Sequence, residues 1–313
     1  MKKIFLFTAI AALFALASCS KDKEGVYAPK SKISSIISTC GSYDANGNAI
    51  EGPETSTETW NWDGDLLSSI NTEFGVEKFS YDEKDRVINV SIPEEHSEIK
   101  FTYDGKFLSA IECNQQGFRA SKITFEHDGK KIKSMKVVSY YEDFDEEKVL
   151  SLVLGKQMAS TITRISKMNA VAKKNAKSEE DFMTYNFTWD GDNISTMEIK
   201  GWISATIDYQ YDNKKNPYYH LYSTEMIEGS EFGMINLSKN NITSATLKIN
   251  FMGMSETETV EFEYTYENKY PATCTSRVPV QGYSYEQDPA TGEWIQTEYN
   301  YFEVTTTTFN YTK

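Results

Sequence analysis

One short motif recurs along the chain and restricts its possible folds more than any other feature. It consists of an aromatic residue, any residue, a second aromatic or histidine, and an aspartate, followed by a polar turn and alternating apolar residues. Six copies are Trp60, Trp62 and Asp63; Phe79, Tyr81 and Asp82; Phe101, Tyr103 and Asp104; Phe125, His127 and Asp128; Phe187, Trp189 and Asp190; and Tyr209, Tyr211 and Asp212. A degenerate seventh copy is Phe262, Tyr264, Tyr266 and Glu267. This self-similarity indicates one structural unit that is repeated along the chain.

The motif predicts a β-hairpin. Residues two positions apart point to the same face of a strand, and Asp-Gly with polar neighbours favours the backbone angles of a tight hairpin turn. Neighbouring copies lie about twenty residues apart, which is the length of one hairpin. A single hairpin cannot bury its aromatic face alone, so the units must pair edge to edge. We predict an all-β fold over residues 31–313: an antiparallel meander of repeated hairpins that forms a curved sheet or a barrel.

A segment of different character interrupts the repeat at about 142–181. Apolar residues recur there at helical spacing, with lysines and an arginine on the other faces. The apolar positions are Leu154, Met158, Ile162, Ile165, Met168 and Ala172. We predict one helical insertion that packs against the sheet or plugs an opening in it. A helix that only caps the sheet and a helix that acts as a gate or binds a partner both fit this pattern.

The first residues have the pattern of an exported lipoprotein. Two lysines precede an apolar run at 4–16 that is too short to cross a bilayer as a stable helix. The sequence Leu-Ala-Ser-Cys at 16–19 resembles a bacterial lipobox, in which the cysteine is acylated. We therefore predict a signal peptide at 1–18, lipidation of Cys19, and a flexible tether over 19–30.

The sequence Ser-Lys-Asp-Lys-Glu-Gly at 20–25 has no apolar residue. Its mixed lysine and acidic content resembles the export signal of some lipoproteins of Gram-negative gut bacteria. That signal carries them to the outer face of the outer membrane. We predict an outer-membrane lipoprotein, with the cell surface favoured over the periplasmic face.

The charge balance disfavours two classes of partner. The chain has 32 Lys and Arg against 46 Asp and Glu, a formal net charge of −14. Such a surface repels phosphate backbones and acidic lipid. We therefore expect no nucleic-acid partner, and we expect the acyl anchor to supply the membrane attachment.

No residue set suggests catalysis or metal binding. His96, His127 and His220 are not at metal-ligand spacing, and a packing role is expected for His127 because it replaces the second aromatic of a repeat. Phosphate loops and nucleophile elbows are missing from the sequence. Most carboxylates lie in turns, where a side-chain oxygen satisfies the turn backbone. We expect a protein that is not an enzyme and has no cofactor.

The cysteines and the surplus aromatics allow further expectations. Cys40, Cys113 and Cys274 can form at most one disulfide, and each is expected to be a small buried apolar residue. Most of the 20 Tyr, 17 Phe and 5 Trp should belong to the core. Trp202 and Trp294 are candidates for ligand binding, because outward-facing tryptophans can stack on sugar rings or anchor a protein interface.

Several blocks resemble known families. Residues 79–87 are similar to the tyrosine-aspartate repeat of bacterial cell-surface proteins, although Asp85 stands where that repeat has glycine. The blocks at 211–218, 237–244 and 264–271, in this order behind a lipobox, resemble uncharacterised lipoproteins of gut bacteria. That family is a domain of unknown function with a porin-like β fold. The resemblance implies a fold and a compartment, but no activity and no catalytic residue.

A membrane barrel also alternates polar and apolar residues. Such barrels usually end on an aromatic residue, whereas this sequence ends on Thr312 and Lys313, and the insertion is too long for an ordinary periplasmic turn. We therefore favour a water-exposed β domain on a lipid tether. Its predicted function is a binding or interaction module with a glycan or an envelope protein as partner. A scaffold of an outer-membrane complex and a polysaccharide hydrolase are the alternatives.

Overall fold

The chain forms a closed barrel of sixteen antiparallel strands. The structure is a computed structural model, and it describes residues 24–73, 75–140, 182–201, 204–222, 235–251, 254–287 and 294–312. The first eight strands are β1 Ile33–Tyr43, β2 Ala49–Asp63, β3 Leu66–Thr72, β4 Gly75–Tyr81, β5 Val87–Ile92, β6 Ser97–Asp104, β7 Phe107–Gln115 and β8 Phe118–Asp128. The other eight are β9 Lys131–Ser139, β10 Phe182–Asp190, β11 Asn193–Lys200, β12 Ser204–Tyr211, β13 Ile242–Phe251, β14 Met254–Glu267, β15 Tyr270–Gln287 and β16 Trp294–Tyr311. Short 3-10 helices lie at Pro93–Glu95 and Ile235–Leu237.

The prediction of an all-β antiparallel meander is confirmed, and the sheet is a barrel. Each strand pairs with the next one along the chain, and β16 pairs with β1 to close the ring. Because successive strands run in opposite directions, every repeat motif places its turn at the same end of the barrel. We call this end the turn end; its turns lie at 64–65, 83–85, 105–106, 129–130, 191–192 and 268–269. The opposite, far end includes the connections at 44–48, 93–96 and 116–117.

The turns form as the motif predicts. Gly64 has a φ of +56°, a backbone angle that glycine adopts without a steric penalty. Asp85 takes the corresponding position in its own repeat with a φ of +61°, which aspartate tolerates better than most residues. The carboxylate of Asp82 accepts hydrogen bonds from the backbone N–H groups of Lys84 and Arg86, at 2.8 and 3.0 Å. The turn role predicted for Asp82 is therefore confirmed.

Strand alternation places the apolar residues inside the barrel. The first aromatic of most motifs is buried, with exposed fractions of 4% for Trp60 and 5% for Phe101. The inner face continues with isoleucine, leucine, valine and methionine from nearly every strand. At roughly 25 cal/mol per Å² of buried apolar area, this interior is the main stabilising term of the fold.

The second aromatic of the motif ties neighbouring strands together. Its ring packs against the core, and its polar tip donates a hydrogen bond to a backbone carbonyl near the start of the preceding strand. These bonds are Trp62 Nε1 to Ile33 O at 2.7 Å, Tyr81 OH to Leu67 O at 2.6 Å, Tyr103 OH to Val87 O at 2.7 Å and Trp189 Nε1 to Ile132 O at 2.8 Å. The repeated aromatic pair therefore supplies both core volume and a tie between strands.

The outer face of the described barrel is polar. Thr39 and Thr55 share a hydroxyl contact of 3.1 Å across β1 and β2, and Thr246 and Thr259 share one of 3.0 Å across β13 and β14. Lysines, glutamates and serines occupy most other outward positions. The exposed large hydrophobic residues of the described part are scattered: Ile50, Ile88, Phe118, Tyr140 and Tyr266.

The chain before β1 crosses the turn end as a packed strap, which we define as residues 24–32. Tyr27 is 2% exposed, and its ring stacks on Trp62 with centroids 5.8 Å apart. The Tyr27 hydroxyl donates to the carbonyl of Pro217 at 2.8 Å. The predicted flexible tether over 19–30 is thus wrong for 24–30, because Val26 and Tyr27 fill space inside the barrel mouth.

The described part of the connection between β12 and β13, residues 212–222 and 235–241, also packs against the core at the turn end. Tyr218 contacts the ring of Trp60 at 6.5 Å and that of Phe309 at 5.9 Å between centroids. Tyr222 packs edge-on against Phe101 at 5.6 Å. Aromatic contacts from several sides of the barrel therefore hold this connection in the interior.

Other predictions have mixed outcomes. The helical insertion at about 142–181 lies outside the described residues. Cys113 and Cys274 are buried, as expected, but Cys40 is exposed, so the prediction of a buried residue is wrong there. Cys40 lies near the far end, where the inner face of the sheet is open to water.

None of the helices among the described residues is long and apolar enough to cross a lipid bilayer.

Candidate functional site

One side of the barrel is longer than the other. β2 has 15 residues, β14 has 14, and β15 and β16 have 18 each. In contrast, β3 to β7 have 6 to 9 residues. We call the side formed by β14, β15, β16, β1 and β2 the long wall. Because the β2–β3 turn at 64–65 and the β14–β15 turn at 268–269 lie at the turn end with the others, the extra strand length projects at the far end.

The strand register shows which side chains of the long wall face inward. Phe309 belongs to the core and pairs with Ile36 of β1. Directly paired residues of an antiparallel ladder share a face, and every second residue returns to it. Thr307 with Ser38, and Thr305 with Cys40, are therefore also inward-facing pairs.

The same reasoning applies to β2. Trp60 faces the core, so Glu58, Ser56 and Glu54 face inward as well. On β15, Ser276 pairs with Thr305. We define the inner polar wall as the inward-facing residues Ser38, Cys40, Glu54, Ser56, Glu58, Ser276, Glu303, Thr305 and Thr307.

Exposure changes along the inner polar wall. Thr305 and Thr307 are each 2% exposed, whereas Cys40 and Glu54 are exposed to solvent. The inner face therefore passes from buried to water-accessible toward the far end. Polar side chains that face inward and still contact water are what a ligand site requires.

Hydrogen bonds order the base of this wall. The hydroxyls of Ser38 and Thr307 lie 3.3 Å apart. Glu58 accepts a hydrogen bond from Trp60 Nε1 at 3.0 Å, which links the wall to the core. Hydroxyl groups donate and accept hydrogen bonds, and carboxylates accept them. This chemistry suits the hydroxyl groups of a neutral sugar and disfavours a phosphate or an acidic ligand.

A further carboxylate lies deeper in the interior. Glu77 of β4 is 1% exposed and faces the same way as Phe79 and Tyr81. Burial raises the pKa of Tyr81 well above its usual range, and the nearby charge of Glu77 adds to this effect. The Tyr81 hydroxyl is therefore a stable donor to the carbonyl of Leu67.

The predicted site residues fall mostly outside the described part. Cys19 and Trp202 are not described. Trp294 begins β16 and pairs with Gln287 at the far end of the long wall, and its side chain is not described. The inner polar wall was missed in the sequence. Counting back in steps of two from Trp60 would have found Glu58, Ser56 and Glu54.

The strap has its own polar contact. Glu24 accepts a hydrogen bond from the backbone N–H of Leu108 at 2.8 Å, and its carboxylate lies 3.2 Å from His127 Nε2. The His127 ring also packs on Phe107, with centroids 4.9 Å apart. The packing role expected for His127 is confirmed, and the hydrogen-bond contact with Glu24 adds a second role.

Two other possible sites are limited by their geometry. A cavity of about 20 Å³ between Tyr218, Tyr264 and Phe309 has room for about one water molecule. Within the described ranges, no group of three or more His, Cys, Asp or Glu side chains is arranged to hold a metal ion. The inner polar wall is therefore the best candidate for ligand contact in the described barrel.

No protein-family model matches the chain, and no curated protein matches it. Among solved structures, the chain is similar to a porin-like protein from Bacteroides uniformis, with 12% identity, a TM-score of 0.35, and coverage of 92% of this chain and 100% of that one. A porin-like protein from Bacteroides vulgatus has 9% identity, a TM-score of 0.34, and coverage of 90% and 99%. Likeness at this level does not establish an activity.

Proposed function

We propose that this chain is a lipid-anchored protein of the cell envelope whose water-exposed barrel binds a glycan at the inner polar wall. The anchor is the acyl group on Cys19, and the compartment is the outer membrane. The binding face lies at the far end, on the long wall.

The distribution of polarity across the sheet carries this proposal. A barrel embedded in lipid needs an outward apolar band, and a Lys or Arg at the bilayer midplane costs about 2–4 kcal/mol. The described outer face has threonine rows and charged residues instead, such as Lys248 paired with Asp208 at 2.7 Å. The apolar residues fill the interior. This arrangement is suited to water outside the barrel and supports attachment by an acyl anchor.

The choice of a glycan follows from the chemistry of the wall. Sugars present many hydroxyl groups, which match alternating carboxylates and hydroxyls such as Glu54, Ser56 and Glu303. The excess negative charge of the chain works against anionic ligands. A neutral sugar chain carries no charge for this excess to repel.

The anchoring part is tested by fractionating cells that express the wild type or Cys19→Ala. We expect the wild type in the membrane fraction, with release only by detergent. The variant should move to the soluble fraction. If Cys19→Ala stays in the membrane and resists extraction at alkaline pH, the barrel itself holds the membrane and the proposal fails.

The binding part is tested on a glycan array with a matched pair of variants on one strand. Glu54→Ala/Ser56→Ala removes inward side chains, and Thr55→Ala/Thr57→Ala removes their outward neighbours. We expect the inner variant to lose binding and the outer variant to keep it. Loss in the outer variant alone, or a wild type that binds no glycan, would contradict the assignment and favour an envelope protein as partner.

A further inference from the structure

We propose that the turn end lies against the lipid surface, so that the far end and the inner polar wall point away from the membrane. This orientation rests on the proposed lipidation of Cys19. Its structural basis is the strap. The strap fixes the chain to the turn end from Glu24 onward, whereas a tether over 19–30 would leave a longer flexible connection between Cys19 and the barrel.

Few residues separate the proposed anchor from the strap. Only residues 20–23 separate Cys19 from Glu24, the first residue of the strap. An extended chain spans at most about 3.6 Å per residue, so the anchor lies within about 18 Å of Glu24. The β16 strand alone has 18 residues, which at roughly 3.3 Å per residue makes the long wall far longer than this reach. The turn end is thus the part of the barrel that the anchor can hold at the membrane.

Several contacts hold the strap against the barrel. Glu24 is held by the backbone of Leu108 and by the ring of His127. The carbonyl of Gly25 accepts a hydrogen bond from the N–H of Val87 at 3.0 Å. Gly25 has a φ of +79°, and an added Cβ would lie 2.1 Å from the hydroxyl oxygen of Tyr103, so only glycine fits this close approach.

The surface chemistry of the turn end suits a zwitterionic lipid headgroup, which carries a phosphate and an ammonium group. Exposed lysines stand in or beside its turns and loops at Lys30, Lys84, Lys106, Lys130, Lys239 and Lys269. Carboxylates alternate with them in the same turns. Lysines can approach the phosphates while carboxylates approach the ammonium groups. Among the described residues, the far end, with Glu51, Glu54, Glu73 and Glu94, is more strongly acidic.

Site-specific thiol labelling of the lipidated protein on zwitterionic vesicles tests this orientation. The far-end reporter is the native Cys40, and the turn-end reporter is Lys130→Cys in a Cys40→Ser background. A bulky polyethylene-glycol maleimide is added to the vesicle-bound protein and to the soluble Cys19→Ala form of each reporter. We expect labelling at residue 130 to be lost on vesicles and retained in the soluble form, whereas Cys40 is labelled in both.

A longer tether supplies the matched control. Inserting a flexible Gly-Ser linker of about twenty residues between Cys19 and Glu24 extends the reach to well above the original span and should restore labelling at residue 130. Equal labelling at residues 40 and 130 on vesicles, or no recovery with the linker, would overturn the orientation. A wild type that does not float with vesicles overturns the lipid anchor itself, so failure of the anchor and failure of the orientation give different results.

Discussion

His127 Nε2 lies 3.2 Å from both carboxylate oxygens of Glu24, and this contact replaces one that other copies of the repeat form internally. In those copies the second aromatic donates to a carbonyl of the preceding strand, as Tyr103 does to Val87. In the fourth copy the histidine contacts the strap instead. The chain before β1 therefore docks at the position where the fourth copy departs from the repeat.

Replacing His127 by phenylalanine should loosen the strap without unfolding the barrel. The variant restores an aromatic of the repeat but leaves the half-buried carboxylate of Glu24 without this partner, at a cost of about 1–3 kcal/mol. We expect faster proteolysis within 24–32 and faster hydrogen exchange at the N–H of Val87, which bonds to Gly25. The control Glu83→Gln changes an exposed turn carboxylate and should leave both rates unchanged. Equal rates in all three proteins would show that the contact does not hold the strap.

Asp82 should contribute to stability only above acidic pH. Burial raises its pKa, but hydrogen bonds from Arg86 and Lys84 and the Arg86 charge outweigh this and lower the pKa below 3.8. A lowered folded-state pKa means that the contribution is present above the unfolded-state value and is lost as the pH falls through the folded-state value.

The matching variant is Asp82→Asn. Near neutral pH it should lose about 1.5–3 kcal/mol of unfolding free energy, the range for a hydrogen bond to a charged group. The difference between wild type and variant should shrink as the pH falls below 3.8. Urea unfolding across this pH range measures it. A difference that stays constant down to the acid limit would contradict the assigned role of the charge.

The first aromatic of each motif should dominate the stability of the barrel. Phe101→Ala removes a ring that is 5% exposed and contacts Tyr222, so we expect a loss of about 3–5 kcal/mol in urea unfolding. Phe118 is 67% exposed, and Phe118→Ala should change stability by less than about 0.5 kcal/mol. Similar losses for the two variants would argue against the inward assignment of the motif.

Much of the fold follows from the sequence because the repeat is local. The period-2 aromatics and the turn aspartates predicted the hairpins, and the turn geometry at Asp82 is the expected one. The sequence pattern allowed both a curved sheet and a closed barrel. The pairing of β1 with β16 joins residues at opposite ends of the chain, as in Ile36 with Phe309, and no local pattern encodes it.

The strap and the inner polar wall were missed for different physical reasons. Val26 and Tyr27 are two apolar residues in a polar stretch, too few to produce a periodicity, and their burial depends on the space left inside a finished barrel. The inner polar wall follows strand parity from Trp60, but glutamate at an inward position contradicts the usual expectation of an apolar interior. These inward-facing glutamates are compatible with the fold because the unequal strand lengths leave that face open to water.

The three cysteines that follow Cys19 should differ sharply in reactivity. Cys40 is exposed, whereas Cys113 and Cys274 are buried and burial raises the pKa of Cys113 to about 11. At mildly alkaline pH the buried thiol is therefore protonated and unreactive. We expect an aromatic disulfide reagent to modify one thiol in folded residues 20–313 and three after denaturation. Cys40→Ser should abolish the fast phase, and a fast phase that survives this change would contradict the described exposure.

We propose that water, not lipid, surrounds this barrel. Residues 20–313 carrying no acyl group, purified and studied by sedimentation and circular dichroism in buffer without detergent, test it most directly. We expect a monodisperse protein with a β-sheet spectrum and one cooperative unfolding transition. A protein that aggregates without detergent and regains β structure only in micelles would contradict it.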